Sequence, residues 1–181
     1  LGDGATLPSN LGDPRFTLSL AHTHDFTYSA DGATVTATCS ADGCTLTDSK
    51  TTLTITAPTL TTYGQTGDGI SENATLTGLD DFNTATGLTV SEDFIKYYKA
   101  TKNSNIYTKS GSVLSSAPTE AGDYLAEITL VDVKTGSEST GDVTASLGYT
   151  IAKATPTIST VPTAGEITYG DKLEESRLTG G

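Results

Sequence analysis

The 181-residue sequence contains no Trp, no Met and only 2 Cys, and its 10 Lys and Arg against 22 Asp and Glu give a formal net charge of −12. This shortage of positive charge disfavours nucleic acid and anionic membrane surfaces as partners, because binding either would require a basic surface. Long hydrophobic runs are also missing, and even the apolar stretch at 124–126 is broken by Glu127. Since a helix needs roughly 20 apolar residues to cross a bilayer, the sequence predicts no membrane insertion.

Hydroxyl residues are abundant instead, with 36 Thr and 17 Ser. Many alternate with apolar residues at a period of two, as at 33–38, 53–56 and 128–130, which is typical of half-buried β-strands. Turns containing Gly separate these runs about every ten residues, so the pattern predicts an all-β sandwich or barrel. The strongest helical signal lies at 91–99, where we expect one acidic turn that leads into a strand over about 95–100.

Composition and pattern divide the chain into four segments. In chain order these are 1–16, a linker rich in Gly, Pro and Asp; 17–56, a small β-hairpin unit with the Cys pair; 57–153, the largest unit; and 154–181. The last segment repeats, in order, the Thr-Ile, Pro-Thr, Thr-Tyr-Gly and Leu-Thr-Gly motifs found between 54 and 78. Because the tyrosines of the two copies, Tyr63 and Tyr169, are 106 residues apart, we predict tandem modules, the second one truncated after its first strand or two.

Three further motifs occur in order: Lys-Tyr-Tyr-Lys at 96–99, Ala-Pro-Thr-Glu-Ala-Gly-Asp-Tyr at 117–124 and Ile-Ala-Lys-Ala-Thr-Pro at 151–156. With the repeated module start, they resemble the tandem Ig-like repeats, of the MBG type and related modules, of large bacterial surface proteins. The resemblance covers about residues 53–181, and the stretch 80–90 departs from it like an insert. The expected fold is therefore all-β: an Ig-like β-sandwich with an N-terminal β-hairpin unit and the first strands of a following repeat.

The resemblance also implies a location and a set of partners. It indicates an extracellular protein, secreted or attached to the cell wall, whose modules contact neighbouring repeats of the same chain and serve as stalk or adhesive units. It implies no particular ligand. We interpret the sequence as a piece of a longer chain that carries its export signal and any wall anchor elsewhere.

The sharpest local constellation is formed by His22, His24, Cys39 and Cys44. On a strand the two histidines point to the same face, and the four-residue loop between the cysteines places them opposite each other across a hairpin. Two imidazoles and two thiolates suit a structural zinc ion, although neither spacing is a standard zinc signature. The extracellular context favours a disulfide that closes this hairpin, with a structural zinc site and a pair of free thiols as the alternatives. No other cofactor is expected.

No catalytic residues are predicted, because the sequence contains no Gly-x-Ser-x-Gly elbow, no His-Glu-x-x-His motif and no phosphate-binding loop. Among the aromatic residues, Tyr98 and Tyr107 lie with Asn103 and Asn105 in a loop-side group that suits contact with a ligand. Packing at the core or its rim is the alternative role for this group.

We therefore expect a non-catalytic spacer or stalk module of a tandem-repeat surface protein. One alternative is an adhesive module that binds a host glycan or matrix protein through loops at one end of the sandwich. Another is an accessory domain of a secreted polysaccharide-active enzyme. An exposed Tyr98 and Tyr107 would favour adhesion and full burial would favour the stalk, while residues 154–181 are expected either to dock on the sandwich or to be mobile.

Overall fold

A computed structural model describes residues 24–46, 51–131, 133–135, 138–139, 141–170, 172, 174 and 176–179. The strands are β1 Phe26–Asp31, β2 Thr34–Cys39, β3 Thr52–Thr56, β4 Thr75–Thr77, β5 Lys96–Asn103, β6 Ile106–Val113, β7 Gly122–Leu130, β8 Lys134–Thr135, β9 Glu138–Ser139, β10 Val143–Ile151, β11 Thr163–Ala164 and β12 Leu178–Thr179. They form two four-stranded sheets, in the orders β1-β2-β3-β4 and β10-β7-β5-β6, and the short pairs β8-β9 and β11-β12. All these pairings are antiparallel, so the predicted all-β sandwich is confirmed.

Threonine pairs follow directly from the period-two pattern of the sequence. Their hydroxyl groups hydrogen bond across neighbouring strands with Oγ1–Oγ1 distances of 2.9 Å in three pairs: Thr34 with Thr54, Thr56 with Thr77, and Thr129 with Thr144. Cross-strand pairs of this kind contribute about 0.2–1 kcal/mol each. The abundant threonines therefore support the sheets from their outer faces, while the apolar residues that alternate with them point inward.

The core between the sheets receives side chains from both of them. Among the largest fully buried side chains, Val35 and Leu53 come from the first sheet, and Ile128 and Ile151 come from the second. The remaining one, Phe82, comes from the connection between β4 and β5. Truncating one large core side chain to Ala costs about 2–5 kcal/mol, so these contacts dominate the stability of the sandwich.

The strands of the predicted 17–56 unit are part of this same sandwich. In the first sheet Val35 of β2 is opposite Leu53 of β3, and Ile55 of β3 is opposite Leu76 of β4. The sheet thus continues across the predicted boundary between residues 56 and 57. A lone hairpin buries too little apolar surface to be stable by itself, which explains why β1 and β2 join the sheet that covers the core.

A short helix occupies most of the stretch that the sequence suggested to be an insert. Helix α1, Leu79–Thr86, is flanked by Gly78 and Gly87, both at positive φ, and buries Phe82 completely. A Cβ on Gly78 would lie 2.5 Å from the carbonyl oxygen of Thr52, so this close approach to β3 requires glycine. The stretch is therefore a part of the core rather than an excursion from it.

The acidic turn expected near residue 91 is present. A 3₁₀ turn spans Glu92–Phe94 and leads directly into β5, which begins at Lys96. Glu92 accepts a hydrogen bond from the backbone N–H of Leu76 at 3.1 Å. The turn therefore connects β4 of the first sheet to the start of β5 in the second sheet.

The strand directions show that the chain enters the sandwich at one end and leaves it at the other. Because β1, β2 and β3 are successively antiparallel, β1 runs in the same direction as β3. Six residues after β3, Thr62 forms a parallel bridge with Ala152, which follows β10. The turn that follows β1 lies beside the middle of β10, because the N–H of Ser146 donates to Gly32 O at 2.8 Å. The N–H of Ala152 donates to Thr61 O and the N–H of Tyr63 donates to Ala152 O, both at 2.8 Å. The start of β1 and the end of β10 therefore lie at opposite ends of the sandwich.

The segment after β10 pairs with itself. All residues from 154 to 170 are exposed, and β11 pairs with β12 through Thr163 opposite Thr179 and Ala164 opposite Leu178. None of the helices in the described part of the chain has the length and apolar character needed to cross a bilayer.

Candidate functional site

The cysteines lie where the β1–β2 hairpin opens. Phe26 is opposite Cys39 at the last register position, and the N–H of Ser40 donates to Asp25 O at 2.9 Å, which extends the pairing one step further. A tight turn then brings the N–H of Cys44 to Ala41 O at 3.2 Å. Gly43, at φ 79°, allows this reversal. The second cysteine therefore returns toward the residue that precedes Asp25.

That residue is His24, and it faces both sulfurs. Its Nδ1 lies 3.4 Å from Cys39 Sγ and 3.6 Å from Cys44 Sγ, and the three atoms are all within 4.8 Å of one another. The imidazole stacks on the ring of Phe26 with a centroid distance of 5.3 Å, which restricts its orientation. Three of the four predicted residues are thus brought together; the fourth, His22, lies outside the described residues.

Both cysteines are free thiols, and the two thiols differ in acidity. Burial raises the pKa of Cys39, but hydrogen bonds from His24, Cys44 and the backbone N–H groups of Ala41 and Asp25 outweigh it and lower the pKa to about 6. The Cys39 sulfur is therefore the one that ionises first.

The neighbouring Cys44 responds to that charge. The backbone N–H of Leu46 lowers the pKa of Cys44, but burial together with the hydrogen bond and negative charge of Cys39 raises it above its ordinary value. The two sulfurs therefore differ in acidity in opposite directions, with Cys39 the more acidic.

The predicted ligand-contact group consists of Tyr98, Asn103, Asn105 and Tyr107. Unlike His24 and the cysteines, these residues lie at separate places along the β5–β6 hairpin. Tyr98 of β5 is half-buried and lies under Lys109 of β6, whose Nζ is 3.9 Å from the ring centroid. The same Nζ forms an ion pair of 2.6 Å with Glu127 of β7. The polar neighbours of Tyr98 are thus supplied by its own sheet.

Tyr107 is held by a second set of contacts. Its ring lies so close above the backbone of Gly148 that a Cβ there would be 2.2 Å from the ring. Its hydroxyl is 2.9 Å from Thr150 Oγ1, which donates in turn to Asp123 at 2.6 Å. Hydrogen bonding to Lys102 and then to Thr150 lowers the pKa of Tyr107. Tyr107 therefore holds the hairpin of β5 and β6 against β10.

The two asparagines of the group lie at the turn of this hairpin. Asn103 and Asn105 flank Ser104, which has φ 56°, and both are exposed, as is the neighbouring Ile106. The two tyrosines thus have rim-packing roles, whereas the asparagines face solvent.

An apolar cleft of about 620 Å³ was not predicted from the sequence. Phe94 and Val131 are both exposed and lie on its rim, while Val90, Leu130 and Val133 form its buried wall. Its walls come from the loop after α1 with the 3₁₀ turn that follows it, and from the end of β7 with the connection after it, about 40 residues further along the chain. No local motif could have indicated that these segments meet.

The fold and the site together define an antiparallel two-sheet sandwich with a surface cluster of one imidazole and two thiols. Comparisons of the chain with family models, with curated proteins and with solved structures gave no match.

Proposed function

We propose that this chain is a non-catalytic spacer module of a bacterial surface protein, secreted or attached to the cell wall. The observation that carries the proposal is the placement of the start of β1 and the end of β10 at opposite ends of the sandwich. A module of this kind adds its own length to a tandem array, because the chain traverses it once from end to end.

The charge of the chain supports the same role. A net charge of −12 makes neighbouring copies repel each other, so an array stays extended and does not self-associate. The outward threonine pairs stabilise the sheets without adding apolar surface. Both properties suit a module that must remain folded and separate.

The test is the length of tandem arrays. Three proteins would be compared by small-angle X-ray scattering. They carry one, two or three copies of residues 1–153, and each protein ends with a single copy of residues 154–181. A nine-residue strand spans about 30 Å, so we expect the maximum dimension to increase by a constant step of at least about 30 Å per copy. A step that shrinks as copies are added would indicate a flexible or collapsed array and would contradict the spacer role.

An adhesive module is the second candidate, and the exposed hairpin turn is the observation that favours it. Asn103, Asn105 and Ile106 combine amide groups with an exposed apolar side chain, as a contact for a glycan or protein requires. The test is a binding screen of the 181-residue protein against host glycans, mucins and matrix proteins. Saturable binding that is lost in an Asn103→Ala, Asn105→Ala double variant but retained in Asn73→Ala, an exposed asparagine elsewhere, would establish adhesion; no binding would leave the spacer role.

A further inference from the structure

We propose that His24, Cys39 and Cys44 bind a zinc ion through the imidazole Nδ1 and both sulfurs, and that solvent or a further ligand fills the fourth coordination position. This inference is independent of the spacer role. It rests on the distances among the three donor atoms, on the contacts that hold them and on the chemistry of the donor set.

The distances match a tetrahedral ion. Zinc–sulfur bonds of about 2.3 Å and zinc–nitrogen bonds of about 2.0–2.1 Å, at tetrahedral angles, place nitrogen and sulfur ligands roughly 3.5–3.6 Å apart. The observed separations from Nδ1 of His24 are 3.4 Å to Cys39 Sγ and 3.6 Å to Cys44 Sγ. The donors thus have the spacing that one ion between them requires, and the side chains need little adjustment.

The three donor atoms converge on one point. His24 Nδ1 carries at most one proton and faces both sulfurs. The two sulfurs are also close enough to share a single ion with it. A cation at the centre of the three atoms attracts all three at once, which a single proton does not.

Backbone hydrogen bonds fix the turn that carries the cysteines. The N–H of Ser40 donates to Asp25 O at 2.9 Å, and the N–H of Cys44 donates to Ala41 O at 3.2 Å. These bonds hold both sulfurs beside His24, so the ligands lose little freedom when they bind a metal.

The imidazole is positioned as well. Stacking on Phe26, which is buried, directs the ring of His24 toward the sulfurs. Ligands supported by neighbouring contacts lose less freedom when they bind a metal. The three donors come from the residue two positions before β1, the end of β2 and the following turn, so an ion would tie the turn to the start of the sandwich.

The donor set selects the class of metal. Two thiolates and one imidazole favour zinc over calcium or magnesium, which prefer oxygen ligands. An open fourth position is compatible with zinc bound by three protein ligands.

The experiment uses cobalt(II) as a spectroscopic probe and zinc as a competitor. The 181-residue protein would be reduced, freed of metal and titrated with Co²⁺. We expect one equivalent to produce the visible absorption of tetrahedral cobalt and the near-ultraviolet charge-transfer band of thiolate ligands, and one equivalent of Zn²⁺ to abolish both. Absence of the charge-transfer band would overturn the proposal.

Single variants test each ligand. We expect Cys39→Ser, Cys44→Ser and His24→Ala each to weaken zinc binding by about 100-fold or more, because each removes one of three protein ligands. Thr45→Ala is the matched control, since it changes an exposed residue next to Cys44 and should bind like the parent. Unchanged binding in His24→Ala would show that the imidazole is not a ligand and would contradict the site.

Two measurements keep the test decisive if a variant does not fold. Amide hydrogen exchange of the unaltered protein should show slower exchange at 41–46 when zinc is added, because the ion fixes that turn. Native mass spectrometry of the untreated protein should show the mass of one bound zinc. A mass lower by two hydrogens, with no exchange response to zinc after reduction, would establish a disulfide instead.

Discussion

The two copies of the repeated motif share a sequence pattern and differ in their surroundings. In the first copy, Ile55 is 3% exposed within β3, whereas the corresponding Ile158 of the second copy is 75% exposed. The tyrosines show the same contrast, since Tyr63 is 45% exposed and bridges to the end of β10, while Tyr169 is fully exposed. The motif therefore defines a possible strand start, and its burial depends on which strands are available to cover it.

The covering elements are specific. Ile55 lies between β2 and β4 in the first sheet and faces a core that β7, β10 and α1 complete. Within the described part of the second copy the strands are β11 and β12, which pair with each other. Alternating apolar and hydroxyl residues thus encode strand formation, but a sandwich forms only when the partner sheet is also present.

The largest difference between the two copies should appear when the isoleucine of the motif is truncated in each of them. We expect Ile55→Ala to lower the free energy of unfolding by about 2–4 kcal/mol, because it opens a cavity in the core. Ile158→Ala should change it by less than about 0.5 kcal/mol, since its side chain is exposed. Urea denaturation of both variants measures the difference, and equal losses would mean that the second copy is also packed in solution.

A glycine substitution gives the next largest contrast. We expect Gly78→Ala to destabilise the sandwich by about 2–3 kcal/mol, because its positive φ and the nearby Thr52 carbonyl both oppose a Cβ. Gly170→Ala in the second copy, where nothing lies within 4 Å, should leave the unfolding midpoint of the sandwich unchanged. The measurement is thermal unfolding followed by circular dichroism, and a similar loss in both variants would refute the assigned close approach at Gly78.

The buried Tyr149 predicts that the stability of the sandwich falls at alkaline pH. Burial, and then the neighbouring Tyr97 and Tyr124, raise the pKa of Tyr149 well above its ordinary value. Below pH about 10 the residue is neutral in both states, but above it the unfolded state ionises first, so the free energy of unfolding falls by up to about 1.4 kcal/mol per pH unit.

We expect Tyr149→Phe to reduce this slope between pH 10 and 11, values that lie around the ordinary tyrosine pKa of about 10. The substitution should cost little at pH 7, because the buried Tyr149 hydroxyl has no hydrogen-bond partner. Tyr169→Phe, at a fully exposed side chain of the second copy, is the control variant. Denaturation series at fixed pH values give the slopes, and a slope unaffected by Tyr149→Phe would contradict the assignment.

Removing the second copy should have the smallest effect. Deletion of residues 157–181 leaves the bridge between Thr62 and Ala152 in place and removes no buried side chain among the described residues. We expect the unfolding free energy to change by less than about 0.5 kcal/mol. A loss above about 1 kcal/mol in urea denaturation would show that this segment docks on the sandwich.

Features with a local pattern were predictable from the sequence. Val35 and Ala37 alternate with threonines and are buried as that alternation requires, and the acidic turn at Glu92–Phe94 has the expected position. Cys39 and Cys44 also approach each other, but across a tight turn that follows β2 rather than across a hairpin of two strands. In each case the deciding contacts lie within a few residues along the chain or directly across one turn.

Features that depend on distant contacts were not predictable. Helix α1 has a single fully buried apolar anchor, Phe82, and its position depends on the glycine that allows close approach to β3. Tyr107 has a half-buried ring because Gly148, some 40 residues away, provides the space. The joining of β1 and β2 to the first sheet likewise depends on Leu53 and Leu76, and no periodicity within the hairpin reports these partners.

The parallel bridge at the end of β10 has a mechanical consequence. The two hydrogen bonds of Ala152, to Thr61 and Tyr63, join two segments that run side by side in the same direction. A pull along the axis, applied to the chain after β10, would load both bonds in shear, so that they must break together rather than open one after the other. The point at which the chain leaves the sandwich is thus built to resist tension.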